Sequence, residues 1–170
     1  MKKFFALMLV LMLTLSCAYA AEVPSLTQFT CEDSNGNIQT EALFAGKDMT
    51  VINIWSPWCL ACSSDVPKFV NLVNQLPENV GFMTICDQGA GEEAIVYDIL
   101  TEGNANYITL RANDEIRKEL LFAFQLLPIA IFVDSEGNLI GEPLVNAAQQ
   151  SNLVETYLQA IEERLALLEA

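Results

Sequence analysis

Two cysteines separated by two residues, Cys59 and Cys62, stand where a strand-like run meets a helix-like one, and this junction constrains the fold more than any other stretch. Residues 51–55 (Val-Ile-Asn-Ile-Trp) are β-branched or aromatic except for one asparagine and carry no helical period, the pattern of a buried strand. Over 63–75, Val66, Phe69, Val70 and Val73 recur at helical spacing. Cys59 is therefore expected at a helix N-terminus, where unpaired N–H groups and the positive end of the dipole favour a thiolate. A thiolate attacks disulfides, and a second cysteine one turn on can close the ring and release the product.

Trp58-Cys59-Leu60-Ala61-Cys62, with Asn53-Ile54-Trp55 before it and Pro67 after it, resembles the thioredoxin superfamily. It looks most like the secreted, membrane-associated thiol–disulfide oxidoreductases of the ResA and TlpA type. Leu126-Leu127-Pro128-Ile129 and the apolar run to Asp134, followed by Gly137, are similar to the family segment whose cis-proline faces the cysteines. The resemblance extends from about Phe29 to the C-terminus, the middle being matched by pattern only.

The resemblance implies a thioredoxin-like three-layer α/β/α fold with a central mixed β-sheet, here with an N-terminal β-hairpin extension. It also implies roles. Cys59 would be the nucleophile and Cys62 the resolving thiol, with Trp58 bordering them. Leu127 and a cis Pro128 would offer backbone to an extended partner segment. Asp65, three residues after Cys62, stands where that branch has a glutamate that assists proton transfer, but it is one methylene shorter. Its bland reading is a first-turn acid that suits the helix dipole. Two departures stand out. Asn53 takes the place of the buried acid of thioredoxin itself and cannot act as a base. Leu60-Ala61 lacks the proline often found between the cysteines, and those two residues influence redox poise. No cofactor is called for, since two side chains carry the chemistry. The implied partners are protein disulfides and a membrane thiol electron donor, with the chain as a monomer.

A length of 170 residues, 52% of them hydrophobic, suits one domain. Residues 1–20 read as a secretory signal peptide: Met1-Lys2-Lys3 is basic, 4–15 apolar, and Ala18-Tyr19-Ala20 a small-x-small cleavage site. Residues 21–170 are then the thioredoxin-like domain. Cys17 raises a second possibility, cleavage before it with lipid attachment, in place of cleavage after Ala20, although Leu15 occupies a position where lipoprotein signals prefer a small residue. Either way the chain is expected to be exported. Loss of two lysines and no acid with 1–20 takes the net charge from −14 to −16. Such a surface repels nucleic acid and anionic membranes. The absence of histidine removes Ser-His and Cys-His catalysis, most zinc enzymes and His-ligated haem.

Four cysteines remain after export, an even number that invites pairing in an oxidising compartment. Proximity joins Cys59 to Cys62 and leaves Cys31 with Cys86, a structural disulfide tying the hairpin to a core strand. The other reading is a pair of free buried thiols behaving as small hydrophobes. No metal site is expected, because Cys31 and Cys86 belong to no CxxC-like knuckle. Elsewhere, 29–40 reads as a hairpin around Asn35-Gly36, 80–86 as a strand, 92–100 as a helix, and 107–110 as a strand. A helix then runs from Asn113 or Asp114 to about Phe124, 129–133 is a strand with 139–141 as its antiparallel partner, and a final helix starts at Ser151-Asn152. Pro67 is expected to kink the first helix. Three functions fit: a reductant of partner disulfides, as in cytochrome c maturation or redox repair; an oxidant or isomerase of exported proteins; and a non-catalytic binding module with an inert disulfide.

Overall fold

The computed structural model describes residues 25–124, 126–145, 147 and 152–169. The proposed signal peptide and Cys17 lie outside the described residues. A short hairpin, β1 (Thr30–Glu32) and β2 (Ile38–Thr40), precedes a five-stranded sheet of β3 (Met49–Trp55), β4 (Val80–Cys86), β5 (Ile108–Arg111), β6 (Ile129–Asp134) and β7 (Leu144–Val145). The sheet order is β5-β4-β3-β6-β7, with β3, β4 and β5 parallel and β6 and β7 antiparallel to their neighbours. Helices α1 (Leu60–Val73), α2 (Glu93–Glu102), α3 (Asp114–Ile116) and α4 (Leu153–Leu168) surround it.

β3 is central, and each of its residues is buried, which is why its sequence shows an apolar run rather than alternation. Its side chains still alternate between faces. Ile52 and Ile54 pack with Phe29, Phe44, Met83, Ile85, Ile116 and Leu120 on one side, while Met49 and Val51 pack with Phe69, Leu72, Tyr157 and Ile161 on the other. The first layer is closed by the hairpin and α3, the second by α1 and α4. This is the mixed-sheet α/β/α arrangement with an N-terminal hairpin that the sequence pattern implies.

The hairpin turn is built by Asp33. Its carboxylate accepts the Asn35 and Asn37 backbone N–H groups at 2.8 and 2.9 Å and the Gln39 side-chain amide at 2.8 Å, and Gly36 supplies the left-handed φ of 82°. Although burial opposes ionisation of Asp33, these hydrogen bonds outweigh it and hold the carboxyl below the usual range. Bridging of Asp33 to Leu110 fixes the hairpin to β5.

Pro67 lies inside α1, where the sequence reading puts it, on the exposed side of the helix. Two details differ from that reading. The helix expected to reach Phe124 is α-helical only to Ile116 and then widens into a π turn over Arg117–Leu121, with the Phe122 N–H donating to the Arg117 carbonyl. On the edge of β6 away from β3, the strand partner is Leu144–Val145. Residues near 139 make one bridge, Leu139 to Val133, before Gly141 (φ 64°) and Pro143 divert the chain.

Candidate redox site

Strand β3 ends at Trp55, and Ser56-Pro57 turns the chain into α1, the Cys59 N–H donating to the Ser56 carbonyl at 3.1 Å. Cys59 is the N-cap of α1. Its backbone is extended (φ −90°, ψ 99°), its carbonyl accepts the Ser63 N–H at 3.0 Å, and its Sγ accepts the Cys62 N–H at 3.2 Å. Sulfur here does what an N-cap oxygen usually does, meeting an otherwise unpaired helix N–H. The two cysteines form a disulfide with Cα atoms 5.2 Å apart. They differ in access: Cys59 is half-buried, Cys62 only 1% exposed.

Beneath the pair lies a small apolar cluster of Trp55, Cys62, Cys86 and Val96, against which Cys59 and Leu127 pack. The Leu127–Pro128 peptide is cis, as the family pattern implies. Leu127 thus brings the Pro128 turn alongside the disulfide. Trp55 is core, its indole N–H donating to Thr84 Oγ1 at 3.2 Å within a buried Thr84–Thr109 pair. Trp58 is the opposite case. It is 67% exposed, and its indole Nε1 donates to Glu92 Oε1 at 2.7 Å, while Glu92 Oε2 accepts the Gly89 N–H at 2.6 Å. One carboxylate thereby joins the redox loop to the loop after β4.

Asp65 is buried on the inner side of α1. Its Oδ1 takes a hydrogen bond from Lys68 Nζ at 2.6 Å, and its Oδ2 has no hydrogen-bond partner among the described residues. Close by, the Tyr157 hydroxyl donates to Asn53 Oδ1 at 2.9 Å. Burial, and then the charge of Asp65, push the Tyr157 hydroxyl's pKa up, so this phenol stays protonated. Asp65, Lys68, Asn53 and Tyr157 form a polar group on the face of β3 that also carries Trp55.

The suggested Cys31–Cys86 bridge does not exist: both are free thiols. Cys31 packs with Ile85 and Met83 on one face of the sheet, whereas Cys86, one residue after Ile85 in the same strand, points to the other face beside Trp55 and Cys62. Alternation along β4 puts the sheet between them, and no disulfide geometry spans that. Burial, reinforced by Asp33 and then Glu115, pushes the Cys31 thiol up to about 11. Burial, followed by Asp87 and Glu92, raises Cys86 as well.

Glu92, Gln88, Arg117 and Tyr157 were not singled out as site residues from sequence. The Gly89-Ala90-Gly91 stretch marks a loop before α2 and is the one local signal near them; their meeting with residues 53–65 is set by the sheet.

No protein-family model and no curated protein matches the chain. Solved structures do. The solution structure of a thiol–disulfide oxidoreductase from Bacteroides vulgatus, itself assigned that role only provisionally, is 19% identical, with a TM-score of 0.64 over 85% of this chain and 93% of its own. The exposed lipoprotein thioredoxin Etrx1 of Streptococcus pneumoniae is 17% identical, TM-score 0.61, over 80% and 98%. A secreted disulfide oxidoreductase of Mycobacterium tuberculosis, homologous to E. coli DsbE, is 23% identical, TM-score 0.57, over 71% and 84%. The fold is thioredoxin-like.

Proposed function

We propose that this chain is an extracytoplasmic thiol–disulfide oxidoreductase that reduces disulfides in partner proteins. The observation that carries the reading is the asymmetry of the cysteines: Cys59 caps α1 with its sulfur and is reachable, while Cys62 is buried directly behind it. In the reduced form, the Cys62 N–H and the helix dipole stabilise a Cys59 thiolate. That thiolate attacks one sulfur of a partner disulfide, forming a mixed disulfide and releasing the partner's other sulfur as a thiolate. Cys62 then loses its proton and attacks Cys59 Sγ, which regenerates the intramolecular disulfide and frees the partner's second thiol. Two electrons pass to the partner, and a membrane thiol donor would restore the dithiol.

Leu127 and Pro128 would present backbone to an extended partner segment, beside Trp58. Asp65 is the acid of the site: within the polar group under α1, its carboxylate would take the proton that Cys62 gives up. Export rests on the pattern of 1–20, and the names of two structural neighbours, one secreted and one an exposed lipoprotein, support it.

The test is a redox titration of the purified domain against glutathione or dithiothreitol. A potential of about −250 mV or below supports a reductant, whereas about −120 to −180 mV identifies an oxidant or isomerase. A disulfide that resists reduction until the domain unfolds overturns the enzymatic reading and leaves a binding module.

A further inference from the structure

Next to the disulfide, Ser56, Trp58, Asp87, Gln88, Glu92 and Arg117 line a cleft of about 420 Å³. We infer that this cleft is a subsite for a cationic side chain, lysine or arginine, carried by the partner polypeptide near its disulfide; the inference rests on the proposed function and names the partner chemistry it selects. Hydrogen-bond acceptors dominate the cleft. Each Glu92 carboxylate oxygen already accepts one N–H, from Trp58 at 2.7 Å and from Gly89 at 2.6 Å, and keeps a further lone pair. Asp87 uses Oδ1 to accept from Arg117 Nε at 2.9 Å, which leaves Oδ2 for a ligand. Gln88 is 7% exposed, and its buried carboxamide oxygen has no hydrogen-bond partner among the described residues. An unmet buried acceptor costs free energy that an entering N–H donor recovers.

Arg117 does not make the cleft an anion site, because its charge is offset by Asp87 and Asp114 and two of its five N–H donors are bonded within the protein. Nε serves Asp87, one terminal nitrogen serves the Gln88 carbonyl at 2.6 Å, and the other lies 3.7 Å from Asp114. Two carboxylates inside the cleft and Asp114 at its edge exceed one guanidinium. The remaining wall is the Trp58 indole, held by Glu92 although it is largely exposed. An indole accepts the aliphatic stem of lysine or arginine and attracts the cation over its face. The charge of the whole chain, −14, draws the same partners at long range.

Two measurements test this. In the first, the oxidised protein is titrated with cysteine-free pentapeptides that differ only in a central Lys, Gln or Glu, and the two indole Nε1–H resonances are followed by NMR. The Lys peptide is expected to shift the Trp58 signal and leave Trp55 in place, with the Glu peptide shifting neither. Equal responses to all three, or a stronger one to Glu, would overturn the subsite. In the second, the reduced protein reacts with symmetrical peptide disulfides carrying Lys, Gln or Glu two residues from cysteine. The Lys peptide should react about fivefold faster than Gln, an advantage of the size of an exposed ion pair. That ratio should fall towards one in Asp87→Asn, in Glu92→Gln and at high salt. A ratio unaltered by both substitutions would show that the preference arises elsewhere and defeat the assignment. If no peptide disulfide is reduced, the oxidoreductase reading fails, and the indole titration still decides whether the cleft binds a cation.

Discussion

The described chain holds cysteines in two settings, and the contrast shows how little the side chain alone decides. Cys59 caps a helix, accepts an N–H and reaches the surface; Cys31 and Cys86 sit in strands with apolar neighbours, 4% and 0% exposed. In the first setting the backbone favours a negative sulfur. In the second, burial and nearby carboxylates disfavour it. Cys62 stands between the two, since it is as buried as Cys86 and packs in the same cluster, yet bonds to Cys59. A place in the first turn of a helix, rather than low exposure alone, distinguishes the bonded pair from the two free thiols.

The sharpest way to break this comparison is to remove one member of the first pair. Cys59→Ser should abolish exchange with a peptide disulfide, whereas Cys62→Ser should stop after the first attack and accumulate a mixed disulfide visible by mass spectrometry. Cys31→Ala and Cys86→Ala should leave exchange intact; exchange lost in either would show that the core thiols take part. Asp65→Asn comes next in size. It should slow resolution of the mixed disulfide by roughly 10²-fold near neutral pH, with the rate recovering as pH rises and Cys62 ionises unaided. An unchanged rate would leave Asp65, which lies beyond the first turn of α1, with its ion pair to Lys68 alone.

Stability against pH sharpens the contrast from the other side. The folded-state pKa of Cys31 is raised, from about 9 in an unfolded chain to about 11. The unfolded state therefore gives up this proton first. Stability attached to Cys31 is complete below pH 9 and falls by about 1.4 kcal/mol per unit as pH rises from 9 to 11. Urea titrations of wild type and Cys31→Ala across that interval should diverge by this amount. The smallest effect is structural: Cys86→Ala leaves a void of about one methyl group and should cost about 1 kcal/mol without moving the reduction potential of the Cys59–Cys62 pair.

Several features were legible because they depend on neighbours in sequence. The strand–CxxC–helix junction and the Asn35-Gly36 hairpin each read correctly from a few residues, whereas the cis Leu127–Pro128 peptide was implied by the family resemblance. The Cys31–Cys86 pairing failed because parity along a chain is visible whereas the face a given parity occupies is not. Residue 86 is even-numbered in a strand whose Met83 and Ile85 pack with Cys31, and only the assembled layers show that this sends its thiol away. The 139–141 strand was right in direction and too long: Leu139 bridges antiparallel to Val133, the Ile140 N–H donates to the Phe132 carbonyl, and Gly141 then turns the chain.

By itself the sequence determined that two thiols would meet at a helix N-terminus on an α/β scaffold, since spacing, capping and apolar period are local quantities. The tertiary structure decided what surrounds them. Glu92 reaches Trp58 across 34 residues, Arg117 reaches Asp87 across 30, and Tyr157 reaches Asn53 across 104. Contacts of that range follow from the order of strands in the sheet, and burial of apolar faces sets that order without specifying which polar groups it brings together.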